Sequence, residues 1–116
     1  VKPEFLAIIG LPLLARSLAE HRLSHGNQDI DLAGIMFNDA DPQHVKTEHN
    51  KARRDVRALA QEHGWRVFSN EARHSDSYAA GARAGKPIFG TRYARRYVQA
   101  EFKMVGDEFL RSVGLI

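Results

Sequence analysis

A chain of 116 residues with 43% apolar side chains and a formal charge of +3 is one domain with enough apolar matter for a core, which excludes a disordered chain. It has no cysteine, hence neither a disulfide framework nor a thiolate metal site. Its longest apolar stretch, FLAIIGLPLLA, is far short of the ~20 residues that cross a bilayer.

VKPEFLAIIGLPLLARSLAEHRLSHGN predicts helix in two pieces, with Pro3 in a first turn and a break at Gly10 and Pro12. Beyond the break Leu14, Leu18 and Leu23 continue at near-helical spacing. SHGNQD is a turn punctuated by Gly26-Asn27, and IDLAGIMF is a short apolar run that reads as a buried strand. NDADPQ ends it, with Asp41 as N-cap and Pro42 in the first turn of a helix that runs to His63. The stripe of that helix is Val45, His49, Ala52, Val56, Leu59 and His63, and Gly64 ends it. WRVFS is a second short strand and NEARHSD a loop. SYAAGARA is a short helix closed by Gly85, with Pro87 preventing continuation, and IFGTR is extended or loop. Tyr93 to Val113 is a long helix with Val98, Phe102, Val105 and Phe109 on one stripe. Two buried strands joined by a crossover helix make a parallel unit, so the expected class is α/β. Two strands are few for a sheet that needs cover on both faces, so the pattern is that of part of something larger.

AGARAGKPIFG has the outline of a phosphate loop and fails its chemistry. Only three residues separate Gly81 from Gly85, where the Walker A spacing needs four before Gly-Lys. Pro87 stands where a Ser or Thr would hold magnesium, and proline removes a backbone N–H that a phosphate cradle uses. A helix C-cap feeding an extended segment is the better reading.

After the strand WRVFS, the stretch RHSDSYAAGARAGKPIFG resembles the C-terminal region of ParA/MinD-type (deviant Walker A) partition ATPases. There a strand leads into an Ile-Arg or Ile-Pro-Arg turn, a short helix, a Gly-Lys-Pro and a closing long helix. VKPEFLAIIGLPLLARSL resembles the segment where a core strand of that family ends in a proline-containing turn and a helix begins. DLAGIMFND resembles the next core strand, which ends at the nucleotide base. The resemblance covers nearly the whole chain and rests on order and spacing. It implies that residues 1–116 are the C-terminal part of a P-loop NTPase-like three-layer fold, with few parallel strands flanked by helices. The Walker A loop, the magnesium-binding aspartate and the switch residues would lie in an N-terminal half outside this chain, whose first residue is Val1. ATP and magnesium would then belong to the intact parent, and this piece would neither hold them tightly nor hydrolyse ATP alone. Implied partners are non-specific DNA, a ParB-like centromere-binding protein and, for the intact protein, an ATP-dependent second copy. The implied location is cytoplasmic and nucleoid-associated.

Candidate site residues follow from both arguments. Asn38 ends the first strand, and its amide both donates and accepts, as an adenine edge requires. By resemblance it sits at the base, while by composition NDADP equally suits an Asx turn or cap. Ala72 and Arg73 match the turn beside the adenine, although Ala72 replaces a larger aliphatic residue and Ala80 a frequent glutamate. Arg73 or His74 matches a family arginine associated with DNA; the alternative for Arg73 is a solvated loop charge. On the middle helix Lys46, Arg53 and Arg57 share one flank, with Arg54 nearby. Such a flank either follows phosphates, releasing counterions, or simply stays wet. RYARRYVQ adds Arg92, Arg95 and Arg96 between Tyr93 and Tyr97, a mix suited to backbone contacts and stacking. His21/His25 and His44/His49 lack the partners of a metal site. Beside the ATPase reading stand a small basic α/β module that binds DNA or protein without nucleotide, and a MinD-like membrane-positioning relative. The last lacks a basic amphipathic helix at FLRSVGLI.

Overall fold

The computed structural model describes residues 1–26, 32–41, 43–90 and 95–116. Their elements are α1 (Phe5–Ser24), α2 (Thr47–His63), α3 (Asp76–Ala84), a single 3-10 turn (Ile88–Gly90) and α4 (Arg96–Ser112). The expected α/β, three-layer, P-loop-like class is therefore corrected: these residues form a helical structure, and no sheet occurs among them.

The reason lies in the register of the two segments read as strands. Residues 32–40 and 65–73 run side by side in the same direction, but they meet only at isolated bridges. One bridge joins Ile35 to Val67 and the other Ala40 to Arg73. Five residues separate the bridges on one segment and six on the other, so one extra residue breaks the ladder. Asp39, at φ 53°, turns the backbone into the left-handed region just before the second bridge. Val1 lies alongside: its ammonium donates to the Met36 carbonyl and its carbonyl accepts from the Asn38 N–H, each at 2.7 Å. Residues 30 and 31 of the expected first strand, like Asn27 to Asp29 of the expected turn, lie outside the described residues.

The helix expected in two pieces is continuous. α1 passes through Gly10 and carries Pro12 in its interior. α2 starts at Thr47, five residues after the expected Pro42, which lies outside the described residues. It closes as expected at Gly64, where φ is 71° and the N–H donates to Ala60 and Gln61. Ser75 caps α3, its hydroxyl accepting from the Ser77 N–H, and Gly85 ends it at φ 68°. Of the α4 stripe, Val98 and Val105 are buried, while Phe102 and Phe109 remain partly exposed.

The core joins these pieces. Leu11 of α1, Ile35 and Phe37 of the first extended segment, and Val56 and Ala60 of α2 form one buried cluster, with Ala7, Ile8, Leu32, Leu59, Trp65 and Val67 at its edge. Phe37 and Val56 are fully inaccessible. Burying side chains of this size contributes roughly 1.5–3 kcal/mol each, and this contact fixes the ends of the paired segments, where the candidate site lies.

Candidate functional site

Parallel pairing brings together residues that lie far apart in sequence. Ala72 donates its N–H to the Phe37 carbonyl and accepts from the Ala40 N–H, and His74 donates to the Ala40 carbonyl. Ala40, Ala72 and Arg73 therefore pair at the C-terminal ends of the two segments, with Asn38 between the paired Phe37 and Ala40. Asn38 is exposed and Ala72 buried.

Each charge around this junction has a specific anchor. The Asp41 carboxylate accepts from the backbone N–H groups of Gln43 (3.1 Å), Val45 (2.7 Å) and Lys46 (2.9 Å). The Lys46 N–H foremost, with those of Gln43 and Val45, holds its pKa below the usual carboxylate value against the opposing effect of burial. The expected capping residue thus closes the loop that precedes α2 instead of starting the helix. Asp39 lies 2.5 Å from His74 Nδ1 and 3.3 Å from Lys2 Nζ. The hydrogen bond with His74 comes first among the causes that depress its pKa. Lys2, Asp39, Asp41, Lys46, His49 and His74 line a cavity of about 390 Å3 beside the junction. His49 is buried there, and its Nδ1 has no hydrogen-bond partner.

The arginines divide into internal and external groups. Arg53, read in sequence as part of an exposed flank, is only 3% exposed. Its Nε and Nη2 donate to Glu71, its Nη1 to Asn50 and its Nη2 also to the Asp41 carbonyl. Arg73 donates its N–H and Nε to Glu101, and its guanidinium lies 4.6 Å over the Tyr97 ring. Arg57 is exposed and lies 5.2 Å over Phe37. Arg95 and Arg96 are exposed, with Arg95 donating to the Tyr97 hydroxyl at 3.0 Å. His74 is exposed. Arg92 lies outside the described residues. A cleft of about 400 Å3 between α2 and α4 gathers Arg57, Arg73, Tyr97 and two carboxylates, Glu71 and Glu101.

Three glutamates escaped the sequence reading. Glu71 and Glu101 hold Arg53 and Arg73, and Glu108 accepts from the N–H groups of Ser69 and Asn70, each at 2.8 Å. Burial pushes the Glu108 pKa up, but the bonds from Asn70 and Ser69 outweigh it and hold the carboxyl below its ordinary value. The available signal was spacing: Tyr97, Glu101 and Glu108 fall at intervals of four and seven on one face of α4. Among the described residues no group of three or more His, Asp or Glu could hold a metal ion, and no helix is long and apolar enough to cross a membrane. Comparison with family models, curated proteins and solved structures finds no match to this chain.

Proposed function

We propose that the chain is the C-terminal segment of a ParA-like partition ATPase. In that role Asn38, Ala72 and Arg73 form a wall beside the adenine, and Arg57, Arg73, His74, Arg95 and Arg96 form a non-specific DNA surface. The observation that carries this reading is the pairing of Phe37 and Ala40 with Ala72 and Arg73 at one end of two parallel-running segments, which puts Asn38 between the paired positions. Parallel chain segments present side chains and free backbone groups at their C-terminal ends, where a planar base can be read. Triphosphate and magnesium chemistry would come from residues outside this chain, and a ParB-like partner would act on the intact protein. Arg53 is left out of the surface because its guanidinium is enclosed.

The test has two arms. On a random-sequence duplex, affinity of the chain falls steeply between about 50 and about 200 mM salt, and each of Arg57→Ala, Arg95→Ala and Arg96→Ala lowers the log–log slope by about one. In the intact parent protein, Asn38→Ala weakens ATP binding while leaving DNA binding by this segment unchanged. No salt-dependent binding in the first arm would remove the DNA surface, and an unaltered ATP affinity in the second would remove the adenine wall. The engagement of Arg73 with Glu101 and Tyr97 favours a second reading, a DNA-binding module without nucleotide chemistry. That reading gains if the first arm succeeds and ATP changes nothing.

A further inference from the structure

Tyr97 stands in the first turn of α4 with its ring held in place yet partly open. The Arg73 guanidinium lies over it at 4.6 Å from the ring centre and is itself fixed, its Nε and Nη2 each 2.9 Å from the Glu101 carboxylate. Arg95 donates to the Tyr97 hydroxyl at 3.0 Å. No aromatic ring packs on Tyr97 among the described residues, and it is 47% exposed. The ring forms part of the wall of the cleft of about 400 Å3 that also holds Arg57 and Arg73. Both carboxylates of that cleft are already engaged, Glu71 by Arg53 and Glu101 by Arg73, each at 2.9 Å. Arg57 and Arg95 are exposed and make no ion pair among the described residues.

The start of α4 adds a local conflict at the same place. Arg95 occupies the N-cap position without a side-chain cap, Arg96 is the first helical residue, and the first turn holds no acidic group. The positive end of the helix dipole thus carries two cations, an arrangement that costs stability until an anion joins it.

We infer that this cleft takes one unstacked nucleotide of a single DNA strand, with its base on the Tyr97 ring and its flanking phosphates on Arg57, Arg95 and Arg96. The inference rests on the DNA surface proposed above and names the form of DNA that it takes. Stacking of this kind needs an open aromatic ring with cations alongside to track the backbone. Arg73 stiffens the ring from one side, and Arg95, 5.9 Å from the ring centre, is an exposed arm that can follow a phosphate. The cleft has the volume of a small-molecule site, which admits one nucleotide and is too narrow for a duplex. A duplex also keeps its base faces covered by neighbouring pairs, so it can use the arginines but not the ring. Tyr97 therefore separates the two forms of DNA.

Fluorescence anisotropy tests this on the 116-residue chain, with a short labelled oligothymidylate and a random-sequence duplex of the same length at one salt concentration. The strand is expected to bind about fivefold tighter than the duplex or better. Tyr97→Leu weakens binding of the strand by about tenfold and leaves the duplex unchanged, while Tyr97→Phe, which keeps the ring, stays within about twofold of the parent. Both variants keep the parent's helical circular dichroism, because Tyr97 lies outside the core. A duplex that binds as tightly as the strand, or a strand affinity that Tyr97→Leu does not change, would overturn the stacking role while leaving the duplex surface in place. Binding of neither form would remove that surface and this inference together.

Discussion

Arg53 and Arg57 are four residues apart on α2, and their different roles follow from what each can reach. Arg53 points to Glu71, whose side chain is 13% exposed, and closes a network with Asn50 and the Asp41 carbonyl. Arg57 points to solvent over Phe37. Removing one partner of an enclosed pair strands the other, so Arg53→Ala is expected to cost about 3 kcal/mol in urea unfolding. Arg57→Ala is expected to cost about 0.5 kcal/mol or less; equal costs would defeat the distinction. Gly34 makes a second residue-scale case. A Cβ there would run into the ring of Phe68, itself 4% exposed and unable to swing aside. Gly34→Ala is therefore expected to lose about 1–3 kcal/mol, read by the same measurement. Neither feature was legible in the sequence. A charge on a helix flank looks the same whether water or a carboxylate eighteen residues later receives it, and a glycine in an apolar run does not announce the ring above it. The sequence reads Asp41 as the N-cap of α2, but Lys46 holds that position, and Asp41 accepts from three N–H groups of the loop before it. The start of α2 was not legible, because His44 adopts a left-handed φ of 56° and delays the helix.

Elements were legible where a local chemical signal closes them. Gly64 and Gly85 both end helices in the left-handed region, and Ser75 opens α3 through its own hydroxyl. Where the outcome depends on register between distant segments, sequence patterning misled: the apolar runs around Ile35 and Val67 do run in parallel, but one additional residue before Arg73 denies them a ladder. Pro12 misled in the opposite sense. It lacks the N–H that would bond the Ile8 carbonyl, and its ring crowds that turn, which is why the sequence suggests a break. Continuity through it is accompanied by packing of the turn just before it, with Ala7, Ile8 and Leu11 against the core. The helix thus carries a local defect, offset by tertiary contact. Replacing the exposed Pro12 with alanine is expected to raise stability by about 1–3 kcal/mol and to increase the helical circular dichroism signal. A loss of stability would mean that α1 needs the proline ring at this position.

At the scale of the whole molecule, three carboxylates tie loops and the N-terminal segment in place. Asp41 secures the loop before α2, Asp39 joins the N-terminal segment to His74, and Glu108 holds the 69–70 backbone against α4. All three have pKa values lowered in the folded state. A carboxyl depressed on folding contributes stability that is fully present above its unfolded pKa and is lost as pH falls through its folded one. With unfolded aspartate and glutamate near roughly 3.9 and 4.3, the melting temperature should hold steady from neutrality down to about pH 5 and drop below about pH 4. Asp41→Asn separates this linkage from a general effect of acid. Its amide keeps one acceptor oxygen but sets an N–H2 group against backbone donors, so the variant melts lower than the parent at neutral pH. The difference should shrink as pH falls below the unfolded aspartate pKa and through the depressed folded one, where the parent's own carboxyl takes up its proton. Melting curves of both proteins across that range decide the matter: a gap that stays constant would mean that Asp41 acts through shape alone, and that its charge does not hold the loop.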